Sequence, residues 1–212
     1  MRGWIVRWFT GGEVDCTPPR SMTPVRRIRR LYNGHIQTAE TGEPMLAGNK
    51  SVCGIELEVI DVIGDWAQGS FLLWVNGTSI GDPSDQSVHI QGCINWLKDF
   101  VEHPRNRFEE GLFALSKDEL YQLLSVNEDS PSMLSPTGKE IDRTFSRFNI
   151  SHIGMSSFDQ VTLLLLEDEE GRQRLIWQQG GGVVEEAYLP PGRMQAVASE
   201  CVERAPDALI TP

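Results

Sequence analysis

The chain has 212 residues, 40% of them hydrophobic and 23% charged, which is enough for one well-buried core and excludes a disulfide mini-protein or a disordered tail. Nineteen Lys and Arg against thirty Asp and Glu leave a formal charge of -11, which repels phosphate backbones and favours basic partners. The longest uncharged apolar run, Val161 to Leu166, is far shorter than the roughly 20 residues of a membrane-spanning helix, so a soluble protein is expected.

The charge is unevenly spread. Residues 1 to 50 carry eight basic groups (Arg2, Arg7, Arg20, Arg26, Arg27, Arg29, Arg30, Lys50) against four acidic ones (Glu13, Asp15, Glu40, Glu43), a net of +4, so the rest of the chain stands at -15. Arg7 interrupts the apolar opening around Trp4, Ile5, Val6, Trp8 and Phe9, and no small-residue cleavage site follows, which argues against an export signal. Cys16, Cys53, Cys93 and Cys201 are widely spaced with no C-x-x-C pair, as expected of buried structural thiols in a reducing, cytoplasmic setting.

Residues 10 to 50 read as irregular, punctuated by Gly11-Gly12, Pro18-Pro19, Pro24, Gly34, Gly42, Pro44 and Gly48. Arg26, Arg27, Arg29 and Arg30 cluster around Ile28. Three readings stand for residues 1–44: a nucleic-acid or anionic-surface patch, a solvated leader, or an extension upstream of a natural start at Met45. Composition and sign of charge favour the last, with a single domain over 45–212.

From Ser51 the chain becomes regular. Ile55-Glu56-Leu57-Glu58-Val59 alternates apolar and acidic residues, the mark of a strand with one buried face. A loop holding Gly64, Asp65, Trp66 and Gly69 leads to a strand over Phe71 to Val75. Asn76-Gly77 supplies a type I′ hairpin turn, and Thr78-Ser79-Ile80 returns, giving three antiparallel strands. Ile90, Cys93, Ile94, Leu97, Phe100 and Val101 share one helical face, stopped by Pro104. Ser116-Lys117-Asp118-Glu119 is a capping-box pattern ahead of Leu120, Leu123 and Leu124.

Asn127 to Lys139 reads as a loop, Phe145 to Ile150 and Gln160 to Leu166 as strands, and Glu167 to Gly171 as a solvated turn before a strand over Gln173 to Gln178. Met194, Val197, Ala198, Cys201 and Val202 form the apolar face of a last helix. The expected class is α+β: a mainly antiparallel sheet with two or three helices packed on one face.

Motifs that carry catalysis are missing: the sequence has no G-x-S-x-G, P-loop, H-E-x-x-H or dinucleotide fingerprint. His35, His89, His103 and His152 stand apart from one another and from cysteine, as surface or satisfied histidines do. No cofactor or metal is expected, and the acidic run Glu167 to Glu170 reads as a solvated turn. Trp74 and Trp177 read as core residues, Trp96 as the border of a helical stripe, and Trp66 as either a contact residue or a cover for a sheet edge.

Gly48-Asn49-Lys50 leading into Ile55-Glu56-Leu57-Glu58, and then Gly69-Ser70-Phe71-Leu72-Leu73-Trp74-Val75-Asn76-Gly77-Thr78-Ser79-Ile80-Gly81-Asp82, resemble the immunity protein 42 family of bacterial polymorphic-toxin systems. Phe158-Asp159 and Arg174-Leu175-Ile176-Trp177 resemble its second half, and the likeness covers roughly Met45 to Val202. The resemblance implies a cytoplasmic antidote, not an enzyme, that binds a cognate toxin and blocks it by occlusion. The acidic body is compatible with a basic toxin surface.

For that function the expected contacts are Glu56, Glu58, Asp61, Asp65, Trp66, Asp82 and Asp85, chosen by chemistry and loop position. Two other readings remain. One is a small metal-assisted enzyme using Asp61, Asp65 and Asp82; the other is a nucleic-acid-associated protein using Arg26, Arg27, Arg29 and Arg30.

Overall fold

Alternation from Ile55 to Glu58 requires a strand with one face in a core and the other toward solvent, and the computed structural model of the protein places that strand inside a sheet. Residues 27–32, 35–40, 44–63, 66–125, 134–141 and 147–205 are described. β1 (Arg27–Tyr32) and β2 (His35–Glu40) pair antiparallel as a two-stranded sheet. β3 (Met45–Asn49), β4 (Cys53–Ile63), β5 (Trp66–Val75) and β6 (Thr78–Ile80) form an antiparallel meander, and β7 (Val88–His89) rejoins β5 beyond the end of β6. The irregular reading of residues 10 to 50 is corrected at β1, β2 and β3, since strands of five or six residues fit between closely spaced glycines and prolines.

The Asn76-Gly77 turn forms as its chemistry demands, with φ of 49° and 81° at the two central residues. The loop expected over Gly64 to Gly69 is shorter than that: β5 already begins at Trp66, and Gly69 lies within it. Gly69 is required there. A Cβ on it would overlap the Glu58 carbonyl oxygen, because β4 bulges between Val59 and Asp61 and crowds its neighbour at that point.

The inner face of this sheet, with Ile55, Leu57, Phe71, Leu73 and Val75, packs on α1 (Ile90–Glu102), which buries Ile90, Cys93, Ile94, Leu97 and Phe100. α2 (Lys117–Leu124) starts in a complete capping box: Glu119 N donates to Ser116 Oγ at 3.3 Å and Ser116 N donates to the Glu119 carboxylate at 2.9 Å. A second antiparallel sheet has the order β10-β9-β8, from β8 (Val161–Glu167), β9 (Gln173–Gln179) and β10 (Glu185–Leu189). α3 (Arg193–Arg204) closes the main core with Met194, Val197, Ala198 and Cys201.

β8 explains its own continuous apolar run. Leu163 and Leu165 enter the main core, whereas Leu164 and Leu166 enter a second cluster with Ile176, Leu120, Leu124 and Phe148, so both faces of the strand are buried. The strand expected over Phe145 to Ile150 is corrected: Phe145 lies outside the described residues, and Asn149 makes an isolated bridge to Leu164 before the chain turns into a 3-10 segment, Ser151–Phe158. The loop expected from Asn127 to Lys139 falls partly outside the described residues, as does Cys16.

Two buried arginines, Arg174 on β9 and Arg147 in the segment before β8, bind the stretch between α1 and α2. Arg174 pairs with Glu186 at 2.6 Å and donates to the carbonyls of Phe113 and Leu115 at 2.8 and 2.7 Å. Arg147 donates to the carbonyls of Asn106 and Phe108 and pairs with Glu109. Cys53, Cys93 and Cys201 are free and buried; burial pushes the Cys53 thiol up to about 11 and Cys201 to about 12, so they behave as small hydrophobes. No described helix is long and apolar enough to cross a membrane.

Candidate interaction face

The bulge in β4 builds the face that the sequence pointed to. Counting by twos, Asp61 shares its parity with Ile55 and Leu57 and would point into the core. The extra residue between Val59 and Asp61 resets the alternation, so Asp61 pairs with Gln68 and Val62 with buried Ala67. Asp61 therefore joins Glu56 and Glu58 on the outer face, beside the β5 row Trp66, Gln68, Ser70, Leu72 and Trp74.

Within that face the carboxylates differ in what they are free to do. Glu56 accepts the Trp74 indole N–H at 2.7 Å and pairs with Lys50 at 2.5 Å, while the Lys50 ammonium lies 4.3 Å from the Trp74 ring centre. This closed triad corrects the expectation that Trp74 is a core residue: it lies half-buried on the outer face, because Leu73 and Val75 take the inward positions. Trp177 is buried as expected, and Trp96, half-buried, stacks on Phe100 at 5.4 Å. Among the described residues Glu58 enters no ion pair, and Asp61 only accepts the amide of Val62 at 2.8 Å.

Trp66 is 61% exposed and stacks on His89 with ring centres 4.8 Å apart. β7 brings His89 opposite Gln68. A Cβ on Gly92, one turn into α1, would meet both the Met155 methyl and His89 Nδ1, so Met155 and His89 converge there. Met155 itself has a left-handed φ of 48°, held by the neighbouring Ser157, whose hydroxyl donates to the Phe71 carbonyl at 3.0 Å and accepts from Asp82 N at 2.9 Å.

The two loop aspartates serve the same construction. Asp82 accepts the Ser84 hydroxyl and amide at 2.7 and 2.8 Å, and these bonds hold its carboxyl below the usual range. Asp85 accepts the Ser87 hydroxyl and amide, and also the Ser156 hydroxyl at 2.7 Å; the Ser87 hydroxyl is the main cause of its lowered pKa. Asp85 thus reaches the Met155 region through Ser156, with Asp82 beside it.

Of the residues expected from sequence, Glu58, Asp61 and Trp66 share one exposed face, Glu56 is pinned within it, Asp82 and Asp85 order the adjoining loop, and Asp65 lies outside the described residues. His89, Gln68 and Met155 were not anticipated. The bulge that admits Asp61 has Gly69 as its sequence signal; nothing in the sequence marks Met155. Among the described residues no three of His, Cys, Asp and Glu are grouped to hold a metal ion.

A sequence profile described as immunity protein 42 matches residues 45–204. Among solved structures the chain is similar to that titled crystal structure of CdiI from Burkholderia dolosa AUO158, at 17% identity and a TM-score of 0.55, over 76% of this chain and all of that one; this likeness concerns the fold. No curated protein matches.

Proposed function

Because this chain belongs to the immunity protein 42 family, we propose that it neutralises a cognate bacterial toxin by binding it through the outer face of β4 and β5 and occluding a basic functional surface. The observation that carries this reading is the juxtaposition of half-buried Glu58 and exposed Asp61, neither in an ion pair among the described residues, with the exposed Trp66 stacked on His89. Carboxylates steer a cationic partner and raise the association rate, whereas an aromatic buried on contact slows dissociation.

The role is one of binding and takes place in the cytoplasm. The fold supports it with a rigid platform: the core behind β4 and β5 fixes the backbone, and the Lys50–Trp74–Glu56 triad fixes one end of the face. A rigid, preorganised surface loses little freedom on association. Co-expression with the product of the neighbouring open reading frame tests the reading. Relief of that product's toxicity and a co-purifying complex weakened by salt are expected; unrelieved toxicity with both proteins folded overturns it.

A further inference from the structure

The ladders on the two sides of β5 lay three polar side chains in one row across the end of the sheet. Asp61 of β4 pairs with Gln68 from one side, and His89 of β7 pairs with it from the other. Residues directly opposite in a ladder share a face. Asp61, Gln68 and His89 therefore stand side by side, the outer two about 10 Å apart across two strand spacings. Among the described residues Gln68 and His89 make no side-chain hydrogen bond, and Asp61 accepts only the Val62 amide.

Trp66 stands over one end of this row. It lies two positions before Gln68 on β5 and so on the same face. Its indole stacks on His89 with the ring planes 28° apart, which covers one ring face, and at 61% exposure the other face is open. His89 is itself held, since β7 fixes its backbone and Met155 meets it beside Gly92. The row thus offers an aromatic plane, a carboxylate across the strand from it and an amide between them. Its charge is one-sided: β4, β5 and β7 contain no Lys or Arg.

We propose that this row is the seat of a single arginine of the toxin: the guanidinium stacks on the free face of Trp66, donates paired hydrogen bonds to the Asp61 carboxylate and donates to the Gln68 amide oxygen. The proposal rests on the reading of the β4–β5 face as the toxin-binding surface. It adds Gln68 to that surface as a contact and His89 as the residue that positions the indole. The chemistry selects arginine over lysine. A guanidinium is flat, carries donors in a fork that matches a carboxylate and stacks on an aromatic ring, whereas an ammonium is a compact, strongly hydrated charge.

The test is a set of double-mutant cycles between the full chain and the cognate toxin, read by titration calorimetry. Each arginine of the toxin is replaced in turn by lysine, which keeps the charge, and is titrated with the wild-type chain, Trp66→Ala and Asp61→Asn; thermal denaturation checks that every protein is folded. One toxin variant is expected to lose about tenfold or more in affinity for the wild-type chain. It should lose little further against Trp66→Ala or Asp61→Asn, because the contact is already gone. His89→Ala is expected to weaken binding and His89→Phe, which keeps a ring beneath the indole, to restore it; equal loss in both overturns the positioning role. If Trp66→Ala and Asp61→Asn bind the toxin as the wild type does, the toxin-face reading fails and the proposal with it. If either binds more weakly but no toxin arginine couples to both, the face stands and the arginine seat is overturned.

Discussion

Glu58 and Asp61 stand on the same face of β4 although they are three positions apart, because the bulge between Val59 and Asp61 shifts the alternation by one. An unbroken strand would bury one carboxylate wherever it exposes the other. The bulge therefore brings the exposed Asp61 onto the face of half-buried Glu58 and Trp66 and keeps Val59 and Val62 packed against the core.

Gly69 is the residue that permits this arrangement, since any Cβ there overlaps the Glu58 carbonyl. Gly69→Ala is expected to lower stability by about 1–3 kcal/mol, the range for overpacking a fitted site, and thermal denaturation measures it. The same substitution should weaken toxin binding beyond the stability loss, because relief of the overlap moves the β4 backbone that carries Glu58.

Glu56 and Glu58 predict opposite phenotypes despite their shared face. Glu56→Ala leaves the Trp74 indole N–H without its acceptor and Lys50 without its partner, so the loss should be seen in unfolding by denaturant, at about 1 kcal/mol. Glu58→Ala should leave stability within about 0.5 kcal/mol and instead slow toxin association and flatten its salt dependence, read by stopped-flow kinetics.

Arg174 ties β9 to β10 and to the segment ahead of α2 through one guanidinium. Arg174→Ala leaves two part-buried carbonyl acceptors without their donor and is expected to cost about 1–3 kcal/mol, seen as a lowered Tm. Toxin binding measured below that Tm should be unchanged, because the β4–β5 face belongs to the other sheet.

Asp82, Asp85 and Glu119 each have a folded pKa below the ordinary carboxylate value, mainly through the hydroxyls of Ser84, Ser87 and Ser116 respectively. Their stabilisation is complete above the unfolded-state pKa and is lost as pH falls through the lowered native value. Amide exchange between Asp82 and Ser87 is expected to rise in that acidic window while β8 and β9 stay protected. Ser116→Ala should cost α2 about 0.5–2 kcal/mol at neutral pH and remove its part of the acid sensitivity.

Much of this architecture could be read from the chain where a short-range rule applies. Asn76-Gly77, the Ser116 capping box, the Ile90 to Phe100 stripe and the burial of Cys53, Cys93 and Cys201 each depend on neighbours within a few residues. β10 was not anticipated, because Glu185-Glu186 at its start reads as solvated until pairing with β9 is known. Trp74 was misplaced for a related reason: an aromatic in a strand between Leu73 and Val75 looks apolar-inward, and only its bond to Glu56 across the sheet reveals the outer face. The proposed face could be named by its chemistry, in Glu58, Asp61 and Trp66, but not by its geometry. Its assembly depends on a bulge, on His89 arriving through β7 and on Met155 arriving from the 3-10 segment.

Trp66 offers the most direct test of the central claim, since it is exposed in the free protein and touches His89 but not the core. The measurement is the dissociation rate of the complex with the cognate toxin for the wild-type chain and for Trp66→Ala, with unfolding of the free proteins as the control. The account predicts equal stability within about 0.5 kcal/mol and dissociation faster by about thirtyfold or more, the rate equivalent of a 2 kcal/mol hot spot. An unchanged dissociation rate in a folded Trp66→Ala protein would contradict it.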